Sequence, residues 1–262
     1  MIIDLHVHCF PGELAPRALS ILAQRAGTAP YFDGTVNQLR TVMDRAGIDL
    51  AVLQPIATKP EQTVGVNRWA VSAQEERVIS FGTLHPDYPQ WRDELKWLVE
   101  AGIKGVKFHP NYQDFYIEDP KMFPLYEAIF TAGLMALFHT GVDLWYPDSS
   151  LGHPRQLKRL LTMFPGATII AAHMGGFRCW EAVEEDLVGT ELYFDTAYSF
   201  GELGVERMGK MIRDHGVEKI LFGSDAPWSD PQAEIAKLKS LRLMEEEKQL
   251  ILGGNAQRLL RL

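Results

Sequence analysis

Cysteine is nearly absent from this chain, with only Cys9 and Cys179 among 262 residues. That excludes a disulfide framework and favours a reducing, cytoplasmic setting. Long apolar runs are lacking too. No stretch approaches the roughly 18 residues of a membrane span, so the expectation is a protein with no membrane partner. The chain opens directly on MIIDLHVH, without the basic region, apolar core and cleavage site of a secretory leader. Excess positive charge is also missing. The 26 Lys and Arg face 34 Asp and Glu, a formal net charge of −8, which argues against a nucleic-acid surface. Low-complexity tracts and linkers do not occur, so one domain spanning 1–262 is the economical expectation, with a homo-oligomer left open.

What is present has ordinary globular chemistry. Apolar residues make up 46% and charged residues 23%, enough for a large core. The length suits a single (β/α)8 barrel, which typically needs about 250 residues. Eight short segments rich in Val, Ile, Leu and Phe read as strands covered on both faces. They are 2–8, 50–55, 78–84, 105–109, 135–139, 168–173, 191–196 and 219–224. Between them lie stretches with helical periodicity, among them 14–26, 36–46 and 91–101. Gly102, Gly133 and Gly166 stand where helices should stop, because glycine favours the left-handed C-cap position. The tail, 253–260, reads as a closing helix. The alternation predicts a single-domain (β/α)8 barrel.

Polar residues at the ends of these strands are the most informative feature. In a parallel barrel the strand ends meet on one face, so residues far apart in sequence converge there. His6 and His8 lie two apart on the first strand and share a face with Asp4, so both imidazoles can reach one metal. Cys9 has the opposite parity and reads as a packed thiol. His139 closes the fifth strand, as a third nitrogen ligand or as a core histidine satisfied by a carbonyl. His173 closes the sixth and precedes Gly175-Gly176; it suits a ligand or a hydrogen-bonding role. Asp225, in Gly223-Ser224-Asp225-Ala226-Pro227, either caps the next helix or stands by a divalent metal and takes up a proton. Asp195 is a weaker candidate, suited to capping or turning. Lys107 and His109 share a parity and both point inward, with Lys107 gripping an acidic substrate or pairing with a carboxylate. Tyr112, Arg178 and Trp228 lie near strand ends and are candidates to shape a substrate pocket, though each is equally compatible with surface or packing roles.

Taken together, His6-Val7-His8, His139, His173 and Gly223-Ser224-Asp225, with GVKFHP, AHMGG, GSDAPW and ILGGNAQRLL around them, resemble the amidohydrolase superfamily of metal-dependent TIM barrels. The flanking text is most similar to the amidohydrolase-2 group, which includes aminocarboxymuconate semialdehyde decarboxylase and related enzymes. The resemblance covers essentially the whole chain. It implies that His6, His8, His139 and Asp225 hold one divalent metal, most often zinc, with manganese as an alternative, and that His173 is an acid/base group beside it. Binuclear members use a carboxylated lysine or a glutamate on the fourth strand. This chain offers Lys107 and His109 there, so a second metal is possible but not implied. The expected activity is hydrolysis of an ester, lactone or amide of a small molecule by metal-activated water, because nothing in the sequence marks an aromatic carboxylate pocket. Two alternatives stay open: a zinc-dependent non-oxidative decarboxylase, and a barrel that has lost turnover and serves as a binding protein.

Overall fold

The computed structural model describes all 262 residues. They form nine short strands: β1 Ile3–Val7, β2 Leu50–Leu53, β3 Val78–Ser80, β4 Gly82–Thr83, β5 Gly105–Phe108, β6 Met135–Phe138, β7 Ile169–Ala171, β8 Tyr193–Asp195 and β9 Ile220–Leu221. Every pairing with a recorded register is parallel, as strands joined by crossover helices must be. The predicted strand at 78–84 is two strands, interrupted at Phe81. That ring is fully buried and occupies the space a side chain on Gly105 would need. The predicted strand at 219–224 shortens to β9; its first residue is taken up by the 3-10 turn Val217–Lys219.

The chain packs as two compact units, each assembled from separated segments. The first comprises 1–54, 75–79 and 195–262. Here β1 pairs with β2 from Ile3↔Leu50 to Val7↔Leu53, with an irregularity between Asp4 and Val7. On its other side β1 runs beside the stretch that follows β9. Leu5 N–H donates to Phe222 O, Asp225 N–H to His6 O and His8 N–H to Ala226 O, at 2.7–2.9 Å. These bonds bring the two ends of the chain into register. Asp4 reinforces them from a buried position: its carboxylate accepts Ser224 N–H at 2.9 Å and His6 N–H at 3.3 Å, and burial pushes its pKa up to about 7. The helices Ala15–Ala26 and Val36–Ala46 cover this unit and stop at Gly27 and Gly47 in left-handed conformation.

The second unit comprises 55–74 and 80–194. Its strands run β4-β5-β6-β7-β8 in order; the last residue of β8, Asp195, counts with the first unit. The strands are buried throughout, apart from a partly open Tyr193. The core is aromatic: Phe108 stacks on Phe138 at 5.3 Å, and Tyr126 meets both edge-on, a geometry that the ring quadrupoles favour. The helices Trp91–Glu100, Phe123–Thr131 and Arg155–Met163 are followed by Gly102, Gly133 and Gly166 at φ +75°, +74° and +81°. Gly102 and Gly133 directly follow the caps of their helices, whereas Gly166 stands two residues past the cap Phe164.

Candidate metal centre

In the first unit, β1 and the turn after β9 gather His6, His8 and Asp225. The nitrogen Nε2 of His6 lies 3.5 Å from Asp225 Oδ1, and that of His8 lies 3.2 Å from the same oxygen. The other ring nitrogens fix the tautomers. His8 Nδ1 lies 3.0 Å from Gln54 O, and a carbonyl only accepts, so Nδ1 carries the proton. His6 Nδ1 lies 2.8 Å from Asp195 Oδ2, with both side chains buried, and a carboxylate likewise only accepts, so the ring donates from Nδ1. Two Nε2 lone pairs therefore converge on a carboxylate oxygen. With both rings neutral, the arrangement is attractive only with positive charge between the groups. A divalent cation would supply it, and the donor set suits zinc or a similar ion. Asp195 and Gln54 hold the two rings from the far side, the place of the outer partners that would orient them toward an ion.

The turn that carries Asp225 is held rather than loose. Asp225 has φ +67°, a conformation in which a non-glycine residue is uncommon. Its N–H is taken by His6 O, its carbonyl accepts Trp228 N–H at 2.9 Å, and Ser224 Oγ accepts Ala226 N–H at 3.0 Å. The Ala226–Pro227 bond is cis. Trp228 is half-buried beside this turn. Gly223 packs so closely that a side chain there would meet His6 Cβ at 2.8 Å. Cys9 is a buried free thiol, pushed up by burial and then by Asp33; it takes no part in the cluster.

The second unit gathers His109, His139, Asp143 and His173. His139 Nδ1 lies 3.0 Å from His173 Nε2. The rings of His109 and His139 stack at 4.1 Å, and Tyr112 stacks on His109 at 3.8 Å. Asp143 Oδ2 lies 3.4 Å from His109 Nε2 and 4.0 Å from His139 Nε2. Burial, then the neighbouring His109 and His173, hold His139 well below the ordinary imidazole pKa, so it is a neutral ring with a lone pair to offer. His173 sits at φ +60° and its carbonyl accepts the Trp180 indole N–H at 3.1 Å. Trp145 and Tyr146 lie 5.4 and 6.1 Å from Tyr112, ring to ring, and add to an aromatic surface. Lys107 is buried on β5. Arg178 is exposed, its guanidinium 5.1 Å from the Phe177 ring centroid.

Of the predicted ligands, then, His6, His8 and Asp225 form one cluster, while His139 lies in the second unit with His109, Asp143 and His173. Asp143 was not singled out in the sequence; it lies four residues beyond His139, past the strand end on which that reasoning rested. Asp195, weighed as a cap or turn residue, does turn the chain, its Oδ1 accepting Ala197 N–H at 3.1 Å, and its other oxygen also holds the His6 ring.

The sequence profile described as amidohydrolase matches residues 3–262. The chain belongs to the amidohydrolase family. Members of this family are metal-dependent enzymes, hydrolases or decarboxylases, and the cluster at His6 is a fitting place for the metal. No curated protein matches the chain. Among solved structures, an uncharacterized TIM-barrel protein from Bordetella bronchiseptica is similar at TM-score 0.79 and 18% identity, over 99% of this chain and 98% of that one. A 5-carboxyvanillate decarboxylase from Sphingomonas paucimobilis matches at 0.73 and 16%, over 100% and 99%. Another 5-carboxyvanillate decarboxylase, from Novosphingobium aromaticivorans with bound manganese, matches at 0.73 and 14%, over 100% and 97%. At such identities these likenesses establish the fold, a TIM barrel. No helix is long and apolar enough to cross a membrane.

Proposed function

We propose that this amidohydrolase-family protein is a zinc-dependent enzyme that releases carbon dioxide from a small planar carboxylic acid without oxidising it. The metal half of the proposal is carried by the pair of Nε2 lone pairs facing Asp225. A divalent ion held there supplies Lewis acidity, polarising a substrate oxygen or bringing the pKa of water from 15.7 to about 7. The resemblance would add His139 to the ligands and gives His173 the acid/base role. The substrate half departs from the hydrolase expected of the sequence alone. It is supported by the aromatic surface of Tyr112, Trp145 and Tyr146 beside His109, whose flat faces suit a planar ring, and by the acids named for the structural relatives, 5-carboxyvanillate and 2,6-dihydroxybenzoate.

The chemistry asks little of the chain beyond binding and one proton. When the bond to the carboxyl carbon breaks, its electron pair stays on the ring carbon and takes up a proton, so the balance is RCOO⁻ + H⁺ → RH + CO₂. His173 is the proposed proton donor. Lys107 and Arg178 remain candidates to bind the acid. Hydrolysis of an ester, lactone or amide is the second reading, because the His6–His8–Asp225 donor set serves a water nucleophile equally well. The two cysteines are free thiols, in keeping with a proposed cytoplasmic location.

A panel of aromatic acids, esters, lactones and amides, scored for both carbon dioxide and acid release, tests the proposal. Carbon dioxide release that stops on chelation and returns with zinc or manganese is the expected result. Metal-dependent acid release without carbon dioxide would replace the decarboxylase with the hydrolase.

A further inference from the structure

Strand β4 meets the helix Trp91–Glu100 through Gly82, where a Cβ would lie 2.7 Å from Leu98 Cδ2. Gly82 therefore faces the helix, and by the alternation of a strand Thr83 and His85 face the opposite side. Gly105 on β5 makes the same division. A side chain there would run into the Phe81 ring, so Lys107 and His109 share the face of Phe81, Thr83 and His85. The pairing Thr83↔Lys107, carried on by two residues, sets His85 beside His109. His85 is only 5% exposed. We propose that His85 is a specificity-determining residue, whose Nε2–H donates to a neutral oxygen (hydroxyl, ether or carbonyl) on the ring of the planar acid. The inference rests on that reading of the substrate and adds the second group that the acid carries.

The backbone decides where the proton sits. His85 Nδ1 accepts Asp87 N–H at 3.1 Å, so the neutral ring carries its proton on Nε2. Burial holds its pKa below the ordinary imidazole value, which keeps the ring neutral at pH 7. No group of the protein accepts from Nε2, and that atom is not sealed from solvent, so a small molecule can reach it. A donor so little hydrated is costly to leave alone. The charges nearby choose the acceptor. Asp87 and Glu61 act on the ring as negative charges and Lys121 as the one positive charge, so a second carboxylate would be repelled where a neutral oxygen is not. The ring is also held in place. Tyr88 N–H donates to His85 O at 3.0 Å. Gln113 ties the two strand ends, its Nε2 donating to Leu84 O at 3.3 Å and its Oε1 accepting His109 N–H at 2.9 Å. A donor fixed in advance loses little freedom on binding. Beside it Tyr112 stacks on His109 at 3.8 Å, part of the flat surface proposed for the acid's ring.

Titration calorimetry on the zinc-loaded protein at neutral pH compares benzoate with its 2-, 3- and 4-hydroxy derivatives. One of the hydroxybenzoates is expected to bind about 3–10-fold tighter than benzoate, the worth of one hydrogen bond. His85→Phe keeps an aromatic ring without the donor; it should lose that preference and bind benzoate as before. His85→Gln, whose amide nitrogen reaches the place of Nε2, should keep most of the preference. Circular dichroism confirms that both variants are folded. A preference unchanged in His85→Phe, or none in the unaltered protein, overturns the role of His85. Equal weakening toward all four acids in His85→Phe does so too, because it marks a packing residue. If the preference follows His85 while no acid releases carbon dioxide, the role stands and the decarboxylase reading falls. If none of the four acids binds, both fall.

Discussion

His6 can offer its Nε2 lone pair to a cation only while its proton stays on Nδ1, and the buried Asp195 carboxylate 2.8 Å away keeps it there. Asp195→Asn removes that charge while keeping size. The expected result is a metal affinity weaker by about 10–100-fold, measured by competition with a chromophoric chelator; affinity equal to the unaltered protein would reduce Asp195 to a packing residue. His173 separates binding from chemistry in the opposite sense. His173→Asn should keep most of its metal and lose about 10²–10⁴-fold in turnover, and full turnover would remove it from the mechanism. His6 and His8 were legible in the sequence from their shared parity on the first strand, and Asp225 from its place just past an apolar run. Asp195 was not, since its partner lies 189 residues away and a lone aspartate at a strand end resembles many caps. Asp143 sits in a loop, where no periodicity says which way a side chain turns.

At the scale of elements, the cluster at His6 depends on how closely β1 and the 222–226 stretch approach. Gly223 sets that distance, because a side chain there would meet His6 Cβ at 2.8 Å, Ala197 Cβ at 3.4 Å and Asp195 Cβ at 3.6 Å. Gly223→Ala must push the strands apart at the residues that ligate. It should cost about 1–3 kcal/mol, as overpacking of a filled interior does, and lower metal content with it. A urea midpoint and a zinc assay on the same preparation check both. Gly201→Ala, where nothing lies within 4 Å, is the control and should leave the midpoint nearly unchanged. Helices were legible almost to the residue where a glycine ends them, because the left-handed stop is a local property of the chain. Strand limits were not: Phe81 divides a continuous apolar run for the sake of packing against Gly105, and β9 stops after two residues. Both outcomes depend on neighbours that the local sequence does not contain.

For the whole molecule, the alternation of apolar runs and amphipathic stretches was enough to predict the fold that the structural likenesses establish. The grouping of 1–54 with 75–79 and 195–262 was not, because it depends on which segments pack together, and local pattern is blind to that. This grouping has a thermodynamic consequence. His6 and His8 come from the first strand and Asp225 from the turn after the last, so an ion they share binds the folded chain and finds no such site in the unfolded one. Ligand that binds only the folded state adds RT ln(1 + [L]/Kd) to stability, about 2.7 kcal/mol at a free concentration 100 times Kd. For a chain of this order of size each kcal/mol moves the melting temperature by roughly 2–4 °C. Chelation should therefore lower the melting temperature by about 5–10 °C at that saturation, and restoring Zn²⁺ should recover it. Asp225→Ala should melt at the lower temperature whether or not zinc is present, since the carboxylate that both Nε2 atoms face is gone. A melting temperature indifferent to chelation in the unaltered protein would mean that the three side chains hold no ion, and that a cation has no part in joining the two ends of the chain.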